Sequence, residues 1–296
     1  ECREHGVIVA AVPWARHGAW FTRPFEDETA WLVAHTDKTT VSTLMRISWR
    51  TVGRIIERVG NELGAKFDRF ANLKRIGVDE VAYRKGHRYL TVVVDHDSGR
   101  LVWAHEGKDA AAFDGFFDAL GPERAAQIEL ASCDASAAYL DALHRRCPKA
   151  IVCLDPFHIV KWATSALDDV RRKVWNDLRR SGKTELAQSL KRSRYALWKN
   201  PENLTEKQGV KLALIEKVNK PLYRAYLMKE QLREVFKLKG VRGVKLLDKW
   251  CAWARRSRLK PFIKLAASIR DHRDGIVAAL MHGLSNARVE SANTKL

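Results

Sequence analysis

The apolar positions of this chain change period repeatedly, and each change marks an element. Residues 75–107, RIGVDEVAYRKGHRYLTVVVDHDSGRLVWAHEG, read as three consecutive strands rich in Val, Ile and Tyr. Asp97-Ser98-Gly99 marks the second hairpin turn. From Asp109 to Leu120 the spacing becomes helical, through Phe113, Phe116, Phe117 and Leu120. A fourth strand follows, in which Ile128, Leu130 and Ser132 alternate with polar or small residues, and it stops at Asp134. Ser136 to Arg146 is again helical, residues 150–155 (AIVCLD) form a short apolar strand, and Pro156 opens a further helix from its first position.

Three hairpin-linked strands followed by strands alternating with helices imply a mixed sheet with an antiparallel and a parallel half, covered on both faces. This α/β order is that of a ribonuclease-H-like domain. Within the first strand stands Asp79, in an otherwise apolar run. Strand interiors are depleted in Asp, and a buried unpaired carboxylate costs several kcal/mol or more. An edge position or a salt bridge to Arg84 or Lys85 accounts for it as well as a metal ion does. The fold shifts the balance, because Asp79 within the first strand and Asp134 at the end of the fourth can converge. Two such carboxylates suit Mg²⁺ or Mn²⁺, which keep waters and accept phosphate oxygens. Two ions about 3.5–4 Å apart activate a water or a 3′-hydroxyl and stabilise the leaving oxygen. A third acid must come from elsewhere, and the candidates are Asp168, Asp169, Asp271, Asp274 and Glu290. The first four fit ordinary helical charge runs. Glu290 lies in SNARVESANTKL, where Ser285 or Asn286 can cap a new helix.

Upstream, residues 25–35, 39–48 and 49–63 read as three helices, the second with Leu44 and Ile47 inward and the third with Val52, Ile55, Ile56 and Val59 on one face. Two short helices, a tight turn and a longer helix fit a helix-turn-helix, which places Arg50, Thr51 and Arg54 at a DNA groove or backbone. A generic helical hairpin shows the same pattern.

Between Asp134 and Glu290 lie 155 residues, far more than the fold requires, so a second unit is inserted. Residues 161–280 hold 30 Lys and Arg against 12 Asp and Glu, whereas the rest of the chain has 23 of each. The whole formal charge of +18 therefore lies in this helical insert. Solvated helix faces are often basic, but an excess confined to one segment favours a DNA clamp, with Arg171, Arg172, Lys173 and Arg180 as representative contacts. Trp162, Trp175 and Trp198 are expected in the core rather than on bases.

At 296 residues, 46% hydrophobic and 30% charged, the chain has apolar residues for more than one ordinary domain. No run of 18 uncharged apolar residues occurs, which argues against a membrane partner. Cys133, Cys147, Cys153 and Cys251 lack pairing spacings and read as reduced thiols of a cytoplasmic protein. Cys2 and His5 form half of a zinc ligand set. The chain begins without Met and stops six residues past Glu290, and it is read here as trimmed.

DEVAYRKGHRYLTVVVDHDSGRLVW, then CDAS, DPFHIVKW and SNARVESANTK, in this order, resemble the insertion-sequence transposases of the ISL-three type, which are DDE enzymes. The resemblance runs from the HGVIVAAVPWARHG segment to the last residue. It implies catalytic, metal-binding roles for Asp79, Asp134 and Glu290, and it places the DPFH motif at Asp155 and His158 as support for that site. It implies a zinc-binding segment around Cys2 and His5. The layout expected is a zinc remnant at 1–20, a helix-turn-helix at 21–70, the ribonuclease-H-like core at 71–160, the basic helical insertion at 161–283 and the start of the catalytic helix at 284–296. The activity implied is cleavage of insertion-sequence ends and strand transfer to double-stranded target DNA, with two divalent ions, by a dimer or larger assembly at the bacterial nucleoid. An inert DNA-binding repressor derived from such an enzyme is the alternative, and a ribonuclease-H-like nuclease without joining activity is a third.

Overall fold

The computed structural model describes residues 10–84, Gly86 and residues 88–284. They divide into two compact units, one up to Ala71 and one from Asn72.

The first unit holds α1 (Arg23–His35), α2 (Lys38–Leu44) and α3 (Trp49–Lys66). Asp37 caps α2 by accepting from the N–H groups of Thr39 and Thr40, and Ser48 caps α3 by accepting from that of Thr51. Val41, Val52, Ile55 and Val59 form the buried core, while Ile56 and Ile47 are half-buried. Leu44, expected inward, is 62% exposed. The reason is that α2 ends there and the chain turns through Arg46 at φ 54°, so that Val41 and Met45 hold the inward side. So small a core is supplemented by charge. Fully buried Glu26 is bound by Arg16 and Arg58, and Arg16 also reaches Asp27 and Glu62, with Arg23 and Lys66 on Glu62. A buried carboxylate without such partners would cost more than the helices could offset.

The second unit is built on β1 (Arg75–Arg84), β2 (Arg88–Asp95), β3 (Leu101–Glu106), β4 (Leu130–Cys133) and β5 (Ile151–Leu154). Their order is β3-β2-β1-β4-β5; β1, β2 and β3 pair antiparallel, and β1, β4 and β5 pair parallel. Ile128 is buried in the approach to β4 rather than in the strand. The connections are α4 (Ala110–Leu120), the single turn α5 (Pro122–Ala125) and α6 (Ala137–Arg146). Phe113 of α4 packs edge-on against Tyr139 of α6 at 5.3 Å and against Phe117 at 5.0 Å, covering one face of the sheet.

After β5 the described residues are helical: α7 (Pro156–Arg180), α8 (Thr184–Lys191), α9 (Arg194–Trp198), α10 (Glu206–Val218), α11 (Lys220–Lys237), α12 (Gly240–Arg256), α13 (Lys260–Asp271) and α14 (Arg273–His282). Two details place this segment. Helix α7 runs unbroken through residue 160, where an insertion was expected to begin. Helix α14 returns to the sheet, with Ala279 packed on Leu130 and Cys153. A Cβ on Gly275 would meet Leu154 Cγ at 2.7 Å, so only glycine lets α14 lie this close to β5. Trp250 is fully buried and donates to the Met228 carbonyl, whereas Trp162, Trp175 and Trp198, expected in the core, are half-buried. Burial pushes the Cys147 and Cys153 thiols up to about 11, which keeps them protonated and inert. No described helix is long and apolar enough to cross a membrane.

Candidate active site

Strand register decides the site. Arg75, Ile76 and Gly77 of β1 lie level with Leu130, Ala131 and Ser132 of β4, and Leu130 to Cys133 lie level with Ile151 to Leu154 of β5. Carried forward at the same offsets, Asp79 falls level with Asp134, and Asp134 with Asp155. The Asp155 N–H donates to the Cys133 carbonyl at 2.9 Å, which holds that register past the end of the strands. Level residues of paired strands project to one face. Three aspartates therefore form a row at the carboxyl end of the parallel half of the sheet.

Each is held locally. Asp79, opposite Val92 of β2, is half-buried and accepts from the Glu80 N–H at 2.8 Å. Asp134 accepts from the Ser136 N–H at 2.9 Å, in the turn that starts α6. Asp155 is buried at the start of α7 and bonds His158 Nδ1 at 3.0 Å. Their charges act on one another. Burial pushes the Asp79 carboxyl above its ordinary range, the charges of Asp155 and Asp134 add to this, and the Glu80 N–H and His158 oppose it. His158 is raised first by its bond to Asp155, against burial, and then by Asp155, Asp134 and Asp79. His158 is among the groups acting on Asp79; Lys85 lies outside the described residues.

Sequence reasoning passed over Glu80. Alternation turns it to the opposite face, where Tyr139 Oη donates to it at 2.9 Å. Burial raises its carboxyl, the Tyr139 bond opposes this, and Asp134 raises it further. Its neighbour in sequence, a lone strand carboxylate, was the available signal.

Other expected residues fall as follows. Asp168 pairs with Arg171 and Arg172, Asp169 with Arg172, and Asp271 with Arg270, so each is held in a local ion pair. Lys173 and Arg180 are exposed. Arg50 and Arg54 are exposed on the first turns of α3, while the Thr51 hydroxyl lies 2.8 Å from that of Ser48 within the cap. Glu290, Cys2 and His5 lie outside the described residues.

The row fits a divalent ion by donor chemistry. Hard carboxylate oxygens suit such an ion, and it needs only one or two of them when water and phosphate fill the remainder. Among the described residues no group of three or more His, Cys, Asp or Glu side chains is gathered closely enough to hold a metal ion.

A family model for the ISL3 transposase domain, a DDE domain, matches residues 76–296, and a model for the helix-turn-helix domain of transposase family ISL3 matches residues 10–60. The chain belongs to the ISL3 transposase family. Transposases for insertion sequence element IS1557 from Mycobacterium tuberculosis strains CDC 1551 / Oshkosh and ATCC 25618 / H37Rv are each 54% identical over 314 residues, spanning 100% of this chain and 71% of the relative. The transposase for insertion sequence element IS1001 from Bordetella parapertussis is 27% identical over 258 residues, 86% of this chain and 63% of that protein. The DDE domain makes this ISL3 transposase an enzyme of polynucleotidyl-transferase type and implies a ribonuclease-H-like fold, with divalent metal as the family's general cofactor. The helix-turn-helix domain implies DNA binding.

Proposed function

We propose that this transposase cleaves double-stranded DNA at the ends of its own insertion sequence and joins the freed 3′-hydroxyls to target DNA, using Asp79, Asp134 and Glu290. The observation that carries the reading is the parallel register of β1 with β4, which, carried forward by two residues, sets Asp79 level with Asp134 just past the end of β4. Asp79 and Asp134, with Glu290, would hold divalent ions, Mg²⁺ or Mn²⁺, which when bound would supply an activated oxygen nucleophile and charge stabilisation for an in-line displacement at phosphorus. The chain's own part is to hold the two carboxylates at a fixed separation on a rigid sheet. Asp155 orients His158 through its bond to Nδ1. Arg50, Thr51 and Arg54 serve sequence recognition, and the basic helical insertion, 161–283, clamps the duplex through its exposed cations. A zinc-binding segment around Cys2 and His5, and pairing of two chains on two ends in the nucleoid, belong to the same reading.

Asp79→Asn and Asp134→Asn should each lower cleavage of an end-containing duplex by at least about 10³-fold, about 4 kcal/mol of barrier. Duplex affinity should stay level or rise, because one negative charge near phosphate is gone. Calorimetric titration with Mn²⁺ should show weaker metal binding in both variants. Full cleavage by both would remove the assignment.

A further inference from the structure

A cavity of about 830 Å³ lies within the helical part of the second unit, between α7, the start of α11 and the turn from α12 to α13. Its apolar floor includes Val170, Val174, Leu178 and Leu259, and its rim carries Lys173, Arg224, Arg258 and Lys260 against one carboxylate, Asp177. Some cations of these helices are paired, Arg171 and Arg172 with Asp168 and Arg233 with Glu202 and Glu230. Among the described residues Lys173, Arg258 and Lys260 enter no ion pair, and Arg224 gives Nη1 only to the Ser257 carbonyl at 3.2 Å. Four like charges left uncompensated around one opening repel each other, so this rim is suited to an anion.

The turn is also built to hold its shape. Buried Ser257 donates its hydroxyl to the Ala254 carbonyl at 2.7 Å and accepts from the Leu259 N–H at 3.1 Å. Arg258 between them sits at φ 61°, a left-handed conformation that a non-glycine residue adopts only when its surroundings impose it. The surroundings thus fix the backbone that carries one rim cation. Helix α13 opens at the same place with Pro261, which has no N–H, and the Phe262 N–H donates to the Leu259 carbonyl at 2.9 Å, so the positive charge of the lining comes from side chains.

The volume falls in the range of small-ligand sites and is far too small for a duplex. A ligand with an anionic end and a flat apolar body fits the lining, and DNA supplies one when a single nucleotide leaves the stack. We propose that this cavity receives one unpaired nucleotide of the DNA substrate, with phosphate on Lys173, Arg258 and Lys260 and the base against Val174, Leu178 and Leu259. The proposal rests on the transposase reading, which brings DNA to this helical surface, and it adds a site at which the helices hold a strand rather than merely attract it.

The test uses the full chain and two probes: a duplex with one bulged 2-aminopurine nucleotide, and the same duplex fully paired. The wild type should bind the bulged probe about ten-fold more tightly, the scale of one base held by non-specific stacking contacts. It should also shield the 2-aminopurine from acrylamide quenching. Val174→Trp, which fills the floor, and Arg258→Glu, which reverses the rim, should bring the affinity ratio to one and remove the shielding. Glu123→Gln, on α5, should leave both readouts unchanged. Should Val174→Trp fail to fold, Arg258→Glu decides. A ratio near one in the wild type, with normal salt-dependent duplex binding, overturns the cavity proposal and leaves the transposase reading intact. Loss of all DNA binding by the wild type overturns both. A glutamate-rich peptide that competes with the bulged probe as well as an unpaired nucleotide does would assign the cavity to a protein partner and overturn the proposal.

Discussion

At the scale of single residues, the site depends on carboxylates placed where their charges oppose one another. Asp79, raised by burial and by Asp155 and Asp134, binds a cation only after losing its proton, so metal affinity at this site should fall with acidity earlier than at a free aspartate. His158 offsets part of that repulsion through its bond to Asp155. Because the pKa of His158 is raised above 6.5, the pair stabilises the fold fully below that pH and loses its contribution as pH rises through the higher folded value. Asp155→Asn should lower the His158 pKa, read by the NMR shift of its ring protons. It should also remove about 1.5–3 kcal/mol on the acid side, read by denaturant unfolding. An unchanged His158 titration would show that Asp155 does not govern it. From its residues alone such a pair was legible in DPFH only as two residues one helical turn apart; its place with Asp79 and Asp134 was implied only by the family resemblance.

Among elements, two placements carry the function. Helix α14 lies against β5 through Gly275, and β5 ends at the residue before Asp155. Gly275→Ala would set a Cβ 2.7 Å from Leu154 Cγ, so α14 or β5 must shift; a loss of about 1–3 kcal/mol is expected by thermal unfolding. Cleavage activity should fall with it, and a variant as stable and active as the parent would show that this approach is not needed. Helix α3 presents Arg50 and Arg54 from its first turns, beside a Ser48 cap that fixes where it starts. Replacing either arginine by Ala should cost about 1–3 kcal/mol on the cognate terminal repeat for each base-directed contact, and little on random duplex. Equal losses on both DNAs, by competition binding, would mean that these arginines touch phosphate only.

Over the whole molecule, the basic residues of 161–280 divide into those held in ion pairs and those that face outward unpaired. Arg171, only 12% exposed at its side chain and bonded to Asp168 at 2.8 Å, holds α7 together, whereas Lys173 and Arg180 face outward. Reversing Lys173 and Arg180 to Glu should weaken binding to all duplexes alike and flatten its log–log salt dependence by roughly one unit per lost phosphate contact. Arg171→Glu should instead lower the unfolding temperature by leaving Asp168 without its partner. A salt slope unmoved by the outward pair would show that this surface faces solvent rather than DNA.

The sequence by itself determined the elements, their order and the chemistry available. Period-two and helical patterns located the five strands and the first helices, because each residue's preference for one face is a local property. The confinement of the charge to one segment was equally plain. Tertiary structure decided what pairwise register and packing decide. It put Asp79, Asp134 and Asp155 in one row, since strand offsets depend on hydrogen bonds between segments tens of residues apart. It turned Leu44 outward at a left-handed turn, and it carried α7 through the boundary expected at residue 160. It also brought Lys173, Arg224, Arg258 and Lys260, from segments far apart in the chain, around one cavity, whereas pairs such as Arg171 with Asp168 lie one helical turn apart and are local.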